Sequence, residues 1–155
     1  MENDPDNPCF GCGPNNPIGL GLRFFEEGKL VFTQTVFADN HSARPGQVHA
    51  GVIFAALECT CSWTFYAFKR LATLTERYLA IDFVSKVAVR TPVRLEGRIM
   101  RETPEPVTVR AELLQGGVVR AFMEQEVRVV KSKEEFRKLR PAAEITRVLE
   151  EMLPP

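Results

Sequence analysis

From Ala50 to Phe68 the chain runs through nineteen residues with a single charge, Glu58. An ionised carboxylate in an apolar stretch is expensive unless it is paired or used, so Glu58 is the first candidate for a general base or nucleophile. The plainer alternative is a Glu bonded to a neighbouring Thr or Arg, or facing a subunit interface. Just upstream, Pro45-Gly46-Gln47-Val48-His49-Ala50-Gly51 brings small residues and free backbone N–H groups to a helix start. There the helix dipole and the orphan amides can hold an oxyanion or polarise a carbonyl. At about 1.5 Å of rise per residue, Ala50 and Glu58 lie roughly 12 Å apart on one helix and cannot touch the same carbon. Two chains packed antiparallel, with the helix start of one beside Glu58 of the other, would bring them together. The chemistry therefore calls for a dimer.

His41 and His49 are the only histidines. A loop histidine such as His41 can act in acid–base chemistry or brace its loop, and His49 falls at the helix start. Cys9 and Cys12 form a CxxC followed by Gly13, which resembles one knuckle of a zinc site. One knuckle supplies two ligands where a structural zinc takes four. Cys59 and Cys61 sit about 200° apart around a helix and do not converge as a second pair. The cysteines are therefore read as free thiols with no metal assigned, a zinc shared across a dimer axis being the alternative. Phe54, Trp63, Phe65, Tyr66 and Phe68 crowd the helix and read mostly as core, since aromatics at helical spacing usually pack, the alternative being that some of them line an acyl pocket.

The elements that must position these residues follow from pattern. Residues 1–17 hold four prolines and no periodicity, an irregular lead-in. Gly19 to Phe25 and Lys29 to Phe37, joined by Glu26-Glu27-Gly28, read as a hairpin. Residues 38–48 are loop. A helix from His49 to about Leu71 is apolar all round, which means burial on nearly every side. Arg77 to Val89, Val93 to Arg101, Val107 to Leu114 and Val118 to Val130 read as strands, with a tight turn at Gly116-Gly117 and breaks at Thr91-Pro92 and Thr103-Pro104. Ser132 and Glu135 form a capping box that opens an amphipathic helix, Lys133 to about Met152. The organisation predicted is a lead-in over 1–17, one domain over 18–131 and a helical extension over 132–155. Its class is α+β, a curved antiparallel sheet wrapped around one long helix.

His49-Ala50-Gly51 followed by Glu58 resembles the His-Gly-Gly…Asp/Glu signature of the hotdog thioesterases, among them the 4-hydroxybenzoyl-CoA and PaaI-like acyl-CoA thioesterases. Cys9-Phe10-Gly11-Cys12-Gly13-Pro14-Asn15-Asn16-Pro17-Ile18-Gly19-Leu20 also resembles the head of many members, and the likeness spans roughly residues 9–130. The resemblance implies the hotdog fold and hydrolysis of acyl-CoA thioesters, with CoA part of the substrate and no cofactor. It places Ala50 on the glycine whose N–H polarises the thioester carbonyl, with Gly51 beside it. It places Glu58 on the acidic residue that activates water or attacks as nucleophile, and Ser62 on a position that orients water. His49 takes a structural role at the helix start. Members often carry an Asn or Gln six residues before the motif histidine; Ala43 stands there, and His41, Asn40 or Gln47 is the substitute. Arg44, Lys86, Arg90 and Arg94 are contacts for the CoA phosphates or ordinary solvated charges, and strand alternation would put the last three on one face. Two alternatives remain: a non-catalytic acyl-CoA sensor, and a hotdog dehydratase, which pairs a His with the carboxylate.

Lys plus Arg equals Asp plus Glu, at 20 each, so net charge carries no footprint for nucleic acid. The acidic, Pro/Asn-rich start is unlike a signal peptide. The run from Ala50 to Phe68 is long enough for a membrane span, but a mid-bilayer carboxylate costs roughly 2.5–3.5 kcal/mol, so the reading is a buried helix in a soluble, cytoplasmic homodimer or homotetramer with neither membrane nor nucleic acid as partner.

Overall fold

A computed structural model describes residues 1–69, 73–102 and 106–129. The predicted C-terminal helix, the Thr103-Pro104 connection and the last residues of the predicted central helix lie outside these residues. The strands are β1 (Phe25–Glu27), β2 (Leu30–Val36), β3 (Ser42–Arg44), β4 (Gln47–Val48), β5 (Thr73–Asp82), β6 (Pro92–Arg101), β7 (Val107–Gln115) and β8 (Val118–Val129), and the helix is α1 (Ala50–Lys69). Six of the strands form one antiparallel sheet in the order β1-β2-β6-β7-β8-β5, and β3 and β4 form a small separate hairpin. Register shifts interrupt the pairings of β5 with β8, β6 with β7 and β7 with β8. Such bulges increase local twist and bend a sheet.

Helix α1 crosses the face of this sheet, over β6, β7, β8 and β2. Val31, Leu95, Val109, Ala111, Leu113, Ala121 and Met123 meet Ile53, Ala56, Leu57 and Phe65 in one core. Two buried threonines on the helix satisfy themselves locally: Thr60 Oγ1 donates to Ala56 O at 2.7 Å and Thr64 Oγ1 to Thr60 O at 2.6 Å. The helix is long and apolar enough to cross a membrane by length and composition, but half of that stretch is buried in the fold. Helix and sheet approach closely at Gly97 on β6. A Cβ there would stand 1.9 Å from Thr64 Oγ1, so only glycine lets α1 sit this deep.

Four expectations need correcting. The first hairpin is shorter, its turn falling at Gly28-Lys29 with Gly28 at φ +60°. Gly19 to Phe24 is not a strand, because Leu20 N and Leu22 N donate to Phe10 O and Gly11 O of the lead-in, at 2.7 and 3.0 Å, and not to the sheet. The expected loop over 38–48 contains a 3-10 turn, Asp39–His41, and the β3–β4 hairpin. The strand expected over Arg77 to Val89 begins at Thr73 and stops at Asp82. Beyond it Val87 and Val89 are buried because the segment runs along β4: Val48 N donates to Val87 O at 2.9 Å and Val89 N to Gly46 O at 3.2 Å. The Gln115 side chain clasps both backbone groups of Ala88, at 2.9 and 3.0 Å. The turn at Gly116-Gly117 is as predicted.

Candidate active site

Helix α1 carries the two halves of the candidate chemistry on separate walls. Glu58 faces a cavity of about 420 Å³ between α1 and the N-terminal segment, lined also by Ser62, Cys9, Cys12, Cys59 and Trp63. Ser62, one turn on, donates to Glu58 Oε1 at 3.3 Å. Burial raises the carboxyl above its ordinary range; the Ser62 hydrogen bond opposes this, and the nearby Cys12 sulfur adds to it. Tyr78 on β5 stacks obliquely on Phe54, with ring centroids 5.3 Å apart. Its phenol is raised first by burial and then by the charge of Glu58, so it belongs to the same neighbourhood.

The start of α1 opens into a second cavity of about 470 Å³, lined by Ala43, Arg44, Gln47, His49, Ala50 and Lys86 among others, Phe83 included. His49 precedes the first helical residue and caps it: Gly51 N donates to His49 Nδ1 at 2.9 Å, while Val52 N and Ile53 N reach His49 O at 3.0 and 3.2 Å. An Nδ1 that accepts a hydrogen bond is unprotonated, which leaves the ring proton of a neutral His49 on Nε2. Among the described residues nothing accepts from the Ala50 N–H. Helix starts leave such donors free for an anion or a carbonyl oxygen.

The sequence-derived residues thus fall into two groups, Glu58 with Ser62 and Ala50 with Gln47, His49, Arg44 and Lys86. Gly51 sits beside the second group with its N–H committed to His49. His41 and Arg90 line neither cavity. His41 braces its loop, its Nδ1 accepting from Ala38 N at 3.2 Å, its carbonyl from His49 N at 2.8 Å, and its ring edge-on to Phe37. Arg90 adopts φ +56° in the turn before β6 and pairs with Asp39. Lys86, Arg90 and Arg94 do not share a strand face, because the first two lie in the irregular segment after β5. Arg94 lies over the Phe32 ring and pairs with Glu96.

The cysteines differ most from expectation. Cys9, Cys12 and Cys59 bring their sulfurs within 4.8 Å of one another, while Cys61 points away into the core. The separation of Cys59 and Cys61 around the helix is as read from sequence, but one of them is enough to meet the CxxC. The neighbouring Cys59 is the chief cause that lowers Cys12 to about 6, against the effect of burial, and the nearby Trp63 lowers it further; Cys59 is pushed up in turn. Tyr78, Trp63 and Cys59 join the site beyond the residues that the sequence marks for it. For Trp63 and Cys59 the signal was present, since both lie within about 100° of Glu58 or Ser62 around the helix.

No protein-family model matches the chain, and no curated protein sequence is significantly similar to it. Solved structures are. A thioesterase superfamily protein superposes with a TM-score of 0.71 at 19% identity, over 81% of this chain and 61% of its own length. This chain therefore spans less than two thirds of that relative. The Escherichia coli PaaI protein of the phenylacetic acid degradation operon gives 0.65 at 10% identity, over 73% of this chain and 82% of that one. A Streptococcus mutans protein solved bound to acetyl CoA gives 0.63 at 14% identity, over 70% and 88%.

Proposed function

From the premise that the chain is a hotdog-fold protein, we propose that it is a homodimeric acyl-CoA thioesterase whose sites each combine Glu58 of one protomer with the helix start of its partner. The observation that carries this reading is the division of labour along α1. A half-buried carboxylate and an uncommitted backbone N–H, the two groups that thioester hydrolysis needs, line different cavities of one chain.

Strand β5 supplies the means of joining them. It is the end strand of the sheet, and Tyr78, Leu79 and Ile81 on it, followed by Phe83 and Val84, are exposed. An open apolar edge is a template for pairing. Antiparallel pairing of β5 with its copy reverses the ends, so the Phe83 end of one protomer, which borders the helix-start cavity, approaches the Tyr78 side of the other. Burying these side chains is favourable at about 25 cal/mol per Å².

In the proposed reaction the thioester carbonyl accepts from the Ala50 N–H, and Arg44 and Lys86 receive the phosphates of CoA. Glu58 takes a proton from water as the water attacks the carbonyl carbon. The tetrahedral oxyanion stays on the Ala50 donor, the C–S bond breaks, and the proton passes from Glu58 to the leaving CoA sulfur. In the variant of this step Glu58 attacks the carbonyl carbon directly, the C–S bond breaks and CoA leaves as its thiolate, and water then hydrolyses the mixed anhydride to release the acid and free Glu58. Ser62 holds the carboxylate in place. Within one chain neither histidine lines the Glu58 cavity, whereas His49 lines the helix-start cavity, so the dehydratase alternative would need the same dimer to bring a histidine to the carboxylate.

The test is free-thiol release from short, medium, long and aromatic acyl-CoAs by wild type and Glu58→Gln. Turnover by wild type and its loss in the variant supports the reading and names the acyl class. Binding of CoA esters without turnover would transfer the chain to the sensor class, as a cytoplasmic reader of acyl-CoA.

A further inference from the structure

We propose that Cys9, Cys12 and Cys59 bind one thiophilic divalent ion of the zinc class, which fastens the N-terminal segment to α1 beside Glu58. This goes beyond the thioester reading and does not depend on it. A chain that bound the ion and left CoA esters intact would satisfy the one and fail the other.

The geometry is that of a three-ligand face. Tetrahedral zinc holds thiolate sulfurs at about 2.3 Å, which sets neighbouring sulfurs ~3.8 Å apart. Cys9 Sγ and Cys59 Sγ are 3.6 Å apart, and all three sulfurs lie within 4.8 Å of one another. A disulfide would use two of these sulfurs and leave the third without a purpose. Cys12 and Cys59 are buried and Cys9 is half-buried, so a bound ion would be shielded on the protein side. All three border the cavity that also holds Glu58, and the fourth position opens into it, for water or a further ligand.

The loop is shaped for this approach. A Cβ on Gly11 would stand 2.3 Å from Cys59 Sγ and 3.3 Å from Ala55 O, so glycine is what lets the CxxC lie against the helix. A Cβ on Gly13 would meet Asn7 O at 2.3 Å and Cys9 N at 2.4 Å, so the knuckle closes on itself only with glycine there. Gly13 N donates to Cys9 O at 2.8 Å across that knuckle, and Asn7 Oδ1 accepts from Cys9 N at 2.9 Å. The Asn7 amide also points at Cys12 Sγ, at 3.9 Å. N–H groups directed at sulfur are the outer shell that orients and stabilises thiolate ligands. Three soft sulfurs select zinc-like ions over magnesium or calcium. As the ion binds, three metal–sulfur bonds form and the thiol protons pass to the buffer.

The experiment takes the full chain, reduced and freed of metal by a chelator, and titrates it with Zn²⁺ against a chromophoric competitor. Co²⁺ is used in parallel, for its thiolate charge-transfer bands and the visible bands of a tetrahedral site. The expected result is one ion per chain, a cobalt spectrum with thiolate ligation, and affinity weakened about tenfold or more in each of Cys9→Ser, Cys12→Ser and Cys59→Ser but not in Cys61→Ala. Should a variant fail to fold, wild type alone decides: zinc should shield Cys9, Cys12 and Cys59 from alkylation in peptide maps, and chelator should restore it. Reduced protein that takes up neither ion, or that binds it equally well without these cysteines, overturns the proposal. So does a Cys9–Cys59 or Cys12–Cys59 disulfide as the resting form with no uptake after reduction.

Discussion

Ala50 and Glu58 stand eight residues apart on one helix and open onto two different cavities. A site that needs both is completed only by a second copy of the chain, and this can be tested without any structure of the dimer. Ala50 is the first residue of α1, where proline is tolerated because the N–H it removes has no intrahelical partner. Ala50→Pro should therefore delete the donor and little else, leaving a folded, inactive dimer. Mixed and reassembled with Glu58→Gln, it should recover activity. Half of the dimers are then mixed, each with one intact site, so about a quarter of wild-type turnover is expected. Two inactive variants that stay inactive when mixed, despite proven exchange, would place each site within a single chain.

Glu58→Gln alone separates a functional carboxylate from a structural one. A group held ionised in a half-buried site costs stability, and its neutral isostere does not. The variant should lose at least about 100-fold in kcat while its melting temperature holds or rises. A marked fall in melting temperature with activity retained would make Glu58 a structural residue.

Much of this arrangement was legible in the residues themselves. A lone charge in an apolar run marked both α1 and Glu58, and Gly116-Gly117 fixed the β7–β8 hairpin. The strand pattern over 83–89 misled for a physical reason. Alternation reports which side chains are buried and not which backbone they pair with, and Val87 and Val89 are buried along β4 and not in the main sheet. That misreading carried Lys86 and Arg90 onto a shared face they do not have. The meeting of Cys9 and Cys12 with Cys59 was hidden for another reason. It depends on how closely Gly11 approaches the helix, a tertiary fit that spacing along the chain does not encode.

The cations sort by the same placement. Arg44 and Lys86 border the helix-start cavity, whereas Arg90 is paired with Asp39 away from it. Arg44→Ala and Lys86→Ala should each raise KM for CoA esters roughly threefold to tenfold, with kcat little changed and a weaker dependence on salt. Arg90→Ala should leave all three unaltered. Equal effects from Arg90 and Arg44 would mean that the phosphates do not bind at the helix start.

The depth at which α1 sits on the sheet, and with it the position of Glu58, rests on Gly97 lying against Thr64. Gly97→Ala forces a methyl into the space held by Thr64 Oγ1, which is fully buried and bonded to Thr60 O. Overpacking of this kind costs about 1–3 kcal/mol, read as a lower midpoint in urea unfolding at unchanged slope. Thr64→Ala removes the nearest atom of the clash, though the Cβ at position 64 and the Thr60 methyl, 3.1 and 3.2 Å from the added Cβ, remain. The double variant should therefore be more stable than the sum of the two single losses predicts, by a coupling on the order of 1 kcal/mol. Additive losses would show that α1 shifts bodily to accept the methyl. In that case Gly97→Ala should also slow thioester turnover through Glu58, and a double variant that failed to restore the rate would agree with the shift.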